Sequence, residues 1–301
     1  MPEILWRVLY ARGCADEESA RAFIHPTERD IIEPGALCGM NDAVSTIKKH
    51  ISIGSRICVW GDYDVDGVSA TAILIRTLRR LGANAVWHIP SRHEEGYGLN
   101  QKGVENLDCG LLITVDCGIT DAAIINAAVK KGMSVVVTDH HTPPATLPDC
   151  PVVNPLLGDY PNRNLCGAGV AFKLAMALDT NARELIDIAA LATVADVVSL
   201  TGENRAIVKI GLEAMNQKKR PGIRALMRAA GLDGEIYSHT VAFQLAPRLN
   251  ATGRLDDAQK ALKLLLSVDD AQADDLADEL NALNQRRRAM EKLVIDECEE
   301  Q

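Results

Sequence analysis

The sequence of 301 residues has no uninterrupted apolar run long enough for a membrane-spanning helix. Such a helix needs roughly 18 or more predominantly apolar residues in succession. The N-terminus also lacks the basic stretch followed by an apolar stretch that marks a signal peptide. We therefore expect a cytoplasmic protein that makes no contact with a membrane.

The eight cysteines include no pair with the C-x-x-C spacing that is typical of zinc ribbons. Their scatter through apolar segments is typical of reduced, mostly buried thiols. Cys117, which follows Asp116, is the one candidate for a reactive thiol, and a small core residue is the alternative interpretation. The cysteine pattern thus argues against a zinc-ribbon module.

Acidic residues outnumber basic ones, 41 to 32, which at first argues against a polyanionic substrate. The excess is concentrated at the C-terminus, where residues 269–301 contain 11 acidic and 4 basic residues. The rest of the chain is nearly balanced, and divalent cations would neutralise several of its acids. The composition is therefore compatible with a modestly positive groove.

Three aspartates follow the apolar run 57–60 at alternate positions. Asp62, Asp64 and Asp66 would project to the same side of a strand end or tight turn and converge on one small volume. Because converging carboxylates repel each other, the pattern predicts a cation between them. A calcium loop and a solvated acidic turn are alternatives, although a calcium loop needs a glutamate where Ile73 stands.

From residue 56 onward, short β-branched runs alternate with longer segments of helical periodicity. This alternation predicts an α/β fold, a parallel β-sheet flanked by helices on both faces. The expected strands are 57–60, 85–89, 111–115, 134–138 and 152–153, and the expected helices between them are 68–81, 101–106 and 120–131.

Ligands of parallel sheets bind beyond the carboxyl ends of the strands. The expected strand ends are followed by acids, histidines and an arginine, namely Asp116, Asp139, His140, His141 and Arg92. We expect these side chains to meet at one edge of the sheet. A further acid, Asp196, stands in an apolar helical stretch, where a carboxylate is costly unless it is paired or bound to a metal.

Six motifs, spread over about residues 54–290, resemble those of the DHH phosphoesterase superfamily. Four of them read Gly-Asp-Tyr-Asp-Val-Asp-Gly, Thr-Val-Asp-Cys-Gly, Thr-Asp-His-His and Thr-Val-Ala-Asp-Val-Val, at 61–67, 114–118, 138–141 and 193–198. The other two, at 92–98 and 247–257, resemble segments of its RecJ family of single-strand-specific exonucleases.

The resemblance implies two divalent cations, manganese or magnesium, which activate water to hydrolyse a phosphodiester. In this interpretation Asp116 bridges the two ions, and the other metal ligands are Asp62, Asp64, Asp66, His140 and Asp196. Hard oxygen ligands with one imidazole suit manganese or magnesium better than a structural zinc site. His141 would face the scissile phosphate as a catalytic residue, and Asp139 would lie behind the histidines and orient them.

Substrate contacts follow from the same resemblance. Arg92 would hold the 5′ end, because a guanidinium can bind a phosphate through two hydrogen bonds. Arg248 and Arg254 would track backbone phosphates or, alternatively, form structural ion pairs, and Asn250 would brace the loop that carries them. His93 is a weaker candidate for a substrate contact.

The implied function is a 5′ to 3′ single-stranded-DNA exonuclease of DNA repair or recombination. Its partners would be single-stranded nucleic acid, with DNA favoured, and repair or replication proteins. A small-substrate phosphodiesterase of the same superfamily, acting on nanoRNA or cyclic dinucleotides, and a pyrophosphatase are rivals. A non-catalytic DNA-binding or replication-partner protein is another, although such a protein is expected to have lost some of the metal ligands.

The sequence divides into four expected segments. These are a helical N-terminal segment (1–53), a DHH catalytic domain (54–200), a helical extension (201–267) and a connector helix (268–301). The resemblance implies that the connector leads to a second lobe with a glycine-rich substrate-binding motif. Without that lobe, we expect low affinity for the strand and poor processivity.

Overall fold

The computed structural model describes residues 2–92 and 94–299, so His93 lies outside the described residues. The N-terminal segment is helical, as predicted, with α1 (Glu3–Ala11), α2 (Glu17–Ile24) and α3 (Met40–Ser52). Short 3₁₀ turns at Glu28–Asp30 and Pro34–Ala36 join α2 to α3. This segment leads directly into the first strand.

Five parallel strands form one sheet, which confirms the predicted α/β fold. They are β1 (Arg56–Trp60), β2 (Asn84–His88), β3 (Leu111–Val115), β4 (Ser134–Thr138) and β5 (Val152–Val153). Their order across the sheet is β2-β1-β3-β4-β5, so the direction of winding reverses between β1 and β3. Ligands of such sheets bind at this reversal, beyond the carboxyl ends of the strands.

Helices cover both faces of the sheet. Those between the strands are α4 (Val65–Arg80), α5 (Gln101–Glu105) and α6 (Ala122–Lys130). After β5 come α7 (Gly167–Leu178), α8 (Ile186–Ala195), α9 (Gly202–Asn216), α10 (Pro221–Ala229), the single turn α11 (Ser238–Thr240), a π-helical turn (Val241–Leu245), α12 (Ala246–Leu255), α13 (Gln259–Leu266) and α14 (Asp270–Glu299). Among the described residues, no helix combines the length and the apolar character needed to cross a membrane.

The larger apolar core lies on the face of the sheet that α4 covers, and α7 and α8 pack against α4 from outside. It contains side chains from all four expected segments, including Ile47, Val68, Leu226 and Leu280. The boundaries between those segments therefore stay a prediction. A smaller core on the opposite face includes Trp60 and packs under α5 and α6.

Candidate metal centre

The aspartate turn, residues 61–67, connects β1 to α4. Asp62 lies in the turn, Asp64 caps α4 by accepting a hydrogen bond from the Gly67 N–H at 3.0 Å, and Asp66 lies in the first helical turn. Of the two predicted geometries, a strand end or a tight turn, the chain adopts the turn, and helix α4 begins three residues earlier than predicted. At Gly67 a Cβ would lie 2.5 Å from the Asp62 nitrogen, so the close approach requires glycine.

The N-terminus of α7 holds Asp66. The Gly167 and Ala168 N–H groups donate to its Oδ2 and Oδ1 at 2.6 and 2.8 Å. Free N–H groups and the helix dipole favour a carboxylate at this position. This contact was not predicted from the sequence. The only sequence feature that indicates it is the Gly-Ala-Gly at the start of α7.

Asp116 follows β3 directly and has a left-handed backbone, with a φ of 60°. This region is uncommon for residues other than glycine, although aspartate and asparagine enter it more readily than most. The side chain is almost fully buried. A Cβ on Gly167 would lie 2.5 Å from both Cβ and Oδ1 of Asp116, so α7 approaches this carboxylate as closely as glycine allows.

His140 lies among three acids. Its Nε2 is 3.1 Å from Asp116 Oδ1 and 3.7 Å from Asp66 Oδ2, and its Nδ1 is 3.9 Å from Asp196 Oδ2. Asp196 stands at the C-terminus of α8, and the exposed Val197 after it has a φ of 61°. Because a β-branched residue rarely adopts this conformation, the corner that directs Asp196 toward the site is strained.

The structure brings all six predicted metal ligands together. Within each of three groups, every residue can offer one ligand atom that lies within 4.8 Å of the others. The groups are Asp62, Asp64 and Asp116; Asp66, His140 and Asp196; and Asp116, His140 and His141. Each of the first two groups would hold one ion, and the role of each residue stays a prediction.

The electrostatics of these groups favour bound cations. Burial and the neighbouring carboxylates raise the pKa of Asp62 to about 7, and the same causes raise that of Asp196 to about 7. They also raise the pKa of Asp116 well above its usual range. Asp62 Oδ1 and Asp116 Oδ1 are buried without a hydrogen-bond partner among the described residues. Because such oxygens are costly unless satisfied, the donor set fits manganese or magnesium.

Asp139 orients His141. Its Oδ1 accepts hydrogen bonds from His141 Nδ1, at 2.7 Å, and from the backbone N–H groups of His140 and His141. Its Oδ2 accepts from the backbone N–H group of Ile119. The hydrogen bond that His141 donates to Asp139 raises the pKa of His141, against the opposing effect of burial. The Nε2 atom lies 3.3 Å from the Tyr97 hydroxyl, a contact that sequence reasoning missed.

The described part of the arginine loop, residues 91–92 and 94–100, is folded around Glu95, whose role had no signal in the sequence. Glu95 accepts hydrogen bonds from the Ser91 N–H at 3.1 Å and from Asn100 Nδ2 at 2.9 Å, and His88 Nε2 lies 3.0 Å away. On this loop, the exposed Arg92 guanidinium lies 5.5 Å from the ring centroid of Tyr63 in the aspartate turn.

The segment expected to be a loop around Asn250 is helix α12. Asn250 braces the aspartate turn, because its Oδ1 accepts a hydrogen bond from the Val65 N–H at 3.1 Å. Arg248 donates to Asn281 Oδ1 on α14 at 3.0 Å and to the Gln244 carbonyl, so its partners are amides and not the acids of an ion pair. Arg254 lines a cavity beside the metal ligands.

Replacing Gly167 by alanine is expected to weaken manganese binding about 10- to 100-fold, a typical cost of disturbing the groups that orient metal ligands. The added Cβ would displace Asp116 and the N–H group that holds Asp66. Gly169→Ala is the matched control, since its Cβ would meet no atom closer than Leu165 Cδ2, the flexible end of that side chain, at 3.1 Å. Calorimetric titration with manganese gives both affinities, and equal values would contradict the expectation.

Comparisons with known proteins agree with this geometry. Residues 56–195 match the profile of the DHH family, N-terminal domain. The single-stranded-DNA-specific exonuclease RecJ of Bacillus subtilis is 43% identical over 97% of this chain and 38% of its own length. The RecJ of Thermus thermophilus is 42% identical over 98% of this chain and 46% of its own. The chain thus spans less than half the length of these two relatives.

Solved structures give the same result. A crystal structure of exonuclease RecJ bound to manganese matches with a TM-score of 0.82 and 44% identity, over 87% of this chain and 69% of that one. RecJ of Thermus thermophilus in complex with Mn²⁺ matches with a TM-score of 0.79 and 38% identity, over 99% of this chain and 46% of that one. Chains similar to this one thus bind manganese, an ion that suits the acidic and imidazole groups described above.

Proposed function

We propose, because this chain belongs to the DHH family and to its RecJ branch, that it is a metal-dependent exonuclease that hydrolyses single-stranded DNA from the 5′ end. The observation that carries the proposal is the meeting of six ligands from separate parts of the chain. The ligands are Asp62, Asp64, Asp66, Asp116, His140 and Asp196. A protein that only binds DNA needs no such buried, mutually repelling set.

Two divalent cations bound here would activate water and stabilise the charge that develops on the phosphoryl oxygens. The carboxylates of the aspartate turn, together with Asp116, would hold these ions beside the reacting phosphate. His141 faces the same space, with its Nδ1 fixed by Asp139. Its raised pKa favours the imidazolium form, which can stabilise the phosphoryl oxygens or protonate the leaving oxygen.

The cavity next to the ligands supports an end-binding mode. It has a volume of about 290 Å³ and is lined by Asp62, Asp64, Tyr97, Asn250 and Arg254, together with Tyr63, Arg92 and Gly253. Arg92 stands across this space from the metal ligands, where it can take a terminal 5′ phosphate through two hydrogen bonds. The distance from the arginine loop to the ligands then sets which phosphodiester is cleaved.

Hydrolysis of defined strands tests the proposal. With manganese, a 3′-labelled, 5′-phosphorylated single strand should shorten from its 5′ end and release mononucleotides, while the matching duplex persists. Dinucleotides and pyrophosphate should be slower substrates under the same conditions. Preference for pyrophosphate would replace the proposal by a small-substrate phosphoesterase, and equal loss of the duplex would contradict the single-strand requirement.

Replacing Arg92 by alanine is expected to raise KM for a 5′-phosphorylated strand about 10- to 100-fold, the range that corresponds to losing a charged hydrogen bond. The value of kcat should change less, because Arg92 is not among the metal-ligand groups. A 5′-hydroxyl strand should show little change in KM. Arg21→Ala, an exposed arginine on α2, is the control. An equal rise in KM for both strand ends would contradict this role.

The relatives' activity also suggests where this chain works. We infer a cytoplasmic location and an involvement in DNA repair or recombination, with repair or replication proteins as partners. Co-purification of a tagged chain with single-strand-binding or recombination proteins, before and after DNA damage, tests this inference. Recovery only with the membrane fraction would contradict it.

A further inference from the structure

Arg92 separates two adjoining cavities. The inner cavity is the one described above, beside Asp62 and Asp64. The outer cavity has a volume of about 300 Å³ and lies on the other side of the wall formed by Tyr63, Arg92 and Gly253, which line both spaces. A chemical group attached beyond a phosphate on Arg92 would therefore enter the outer cavity.

The outer cavity is strongly acidic. Its lining includes the carboxylates of Glu94, Glu95, Asp256 and Asp257, whereas Arg92 supplies its one guanidinium among the described lining residues. The inner cavity contrasts with it, because Arg254 joins Arg92 there and the acids it contains are metal-ligand candidates. Once metals are bound, the net charge of the lining thus has opposite signs in the inner and the outer cavity.

Three acids of the outer cavity are held by neighbouring groups. Glu95 is held by Ser91, Asn100 and His88. Burial acts to raise the pKa of Glu95, but these hydrogen bonds lower it by more, so the pKa lies below its usual value. Asp257 Oδ1 accepts from the Gln259 N–H at 2.8 Å at the start of α13, and Asp256 pairs with Lys260 at 2.7 Å. These carboxylates cannot easily turn away from an approaching anion.

We propose that the outer cavity makes this site selective for strands that end in a single 5′ phosphate, by repelling a 5′ triphosphate. The inference rests on the proposed function and adds its substrate class. The terminal phosphate pairs with Arg92, and a second and third phosphate would face the carboxylates of Glu94 and Asp257, while Lys260 partly neutralises Asp256. Like charges within a few ångströms disfavour binding, and fixed carboxylates cannot relax to relieve this.

Matched oligonucleotides test this selectivity. Strands of one sequence carrying a 5′ monophosphate or a 5′ triphosphate are compared at constant free manganese. We expect kcat/KM to be at least about tenfold lower for the triphosphate, which corresponds to about 1.4 kcal/mol. Added potassium chloride should narrow the ratio, since salt screens the repulsion. The double substitution Asp256→Asn with Asp257→Asn should reduce the ratio of the two kcat/KM values at least threefold.

Two further variants complete the design. Asp233→Asn removes an exposed acid that does not line the cavity and should leave the ratio unchanged. Glu94→Gln, on the exposed part of the arginine loop, tests the same repulsion if the double variant does not fold. A ratio within twofold of one in the unaltered protein, or a ratio that neither variant changes, overturns the inference. No hydrolysis of the monophosphorylated strand overturns the proposed function itself.

Discussion

Replacing Asp116 by asparagine is expected to reduce manganese-dependent hydrolysis at least about 10³-fold, a loss of about 4 kcal/mol of transition-state stabilisation. Asp116 lies in the ligand group of the aspartate turn and also 3.1 Å from His140 Nε2, so both metal positions depend on its charge. Asparagine is nearly the same size and tolerates the left-handed backbone at this position. The fold should therefore survive.

The metal-free protein provides an internal check on that variant. Asp116 is buried among other carboxylates that raise its pKa, so loss of its charge relieves repulsion. The melting temperature in a chelator should be equal to or higher than that of the unaltered protein. Asp159→Asn, at an exposed position, is the control and should keep full activity. Activity of the position-116 variant within tenfold of the unaltered protein would show that the metals are held elsewhere.

The stability of the metal-free protein is expected to fall as the pH rises from about 4 to above 7. Asp62 and Asp196 keep their protons up to about pH 7 in the folded chain, whereas unfolded aspartates lose them near pH 3.9. The folded state therefore binds more protons across this window, and its free energy of unfolding decreases with pH. We expect a decrease on the order of 3 kcal/mol, after allowance for solvent screening.

Thermal melts in a chelator at pH 4.5 and pH 8 measure most of this decrease. A fall of about 3 kcal/mol corresponds to a melting temperature roughly 5–10 °C lower at pH 8. Manganese should raise the melting temperature more at pH 8 than at pH 4.5, because protons compete with the metal for the same oxygens. The Asp116→Asn variant should show a smaller fall. A metal-free protein that melts at a higher temperature at pH 8 would contradict the electrostatic account.

Periodicity and the ends of apolar runs were sufficient to predict the sheet and the edge where its ligands meet. Asp116, His140 and His141 closely follow strands, so the strand direction alone places them. Two contacts could not be predicted in this way, that between Asp66 and the first turn of α7 and that between Tyr97 and His141. Each joins segments far apart in the sequence, and their meeting depends on how the helices and loops pack.

The error at α12 and the unpredicted contact of Arg248 have a related cause. Proline, glycine and asparagine in the segment 247–253 are typical of loops, yet the proline lies in the first turn of α12, directly after the π-helical turn Val241–Leu245. Gly253 is needed because a Cβ there would lie 2.5 Å from the Tyr63 carbonyl oxygen. Arg248 was a candidate for phosphate contact, and its engagement by Asn281 is visible only once α14 is in place.

Helix α12 joins the longest helix to the aspartate turn. Two residues apart on α12, Arg248 contacts Asn281 of α14 and Asn250 contacts Val65 at the start of α4. With 30 residues, α14 is about 45 Å long, so a small tilt of this helix moves its ends by a large distance. A force that pulls on the C-terminal half of α14 would displace α12. That displacement would move the aspartate turn with Asp62 and Asp64, and the distance between the two metal positions would change.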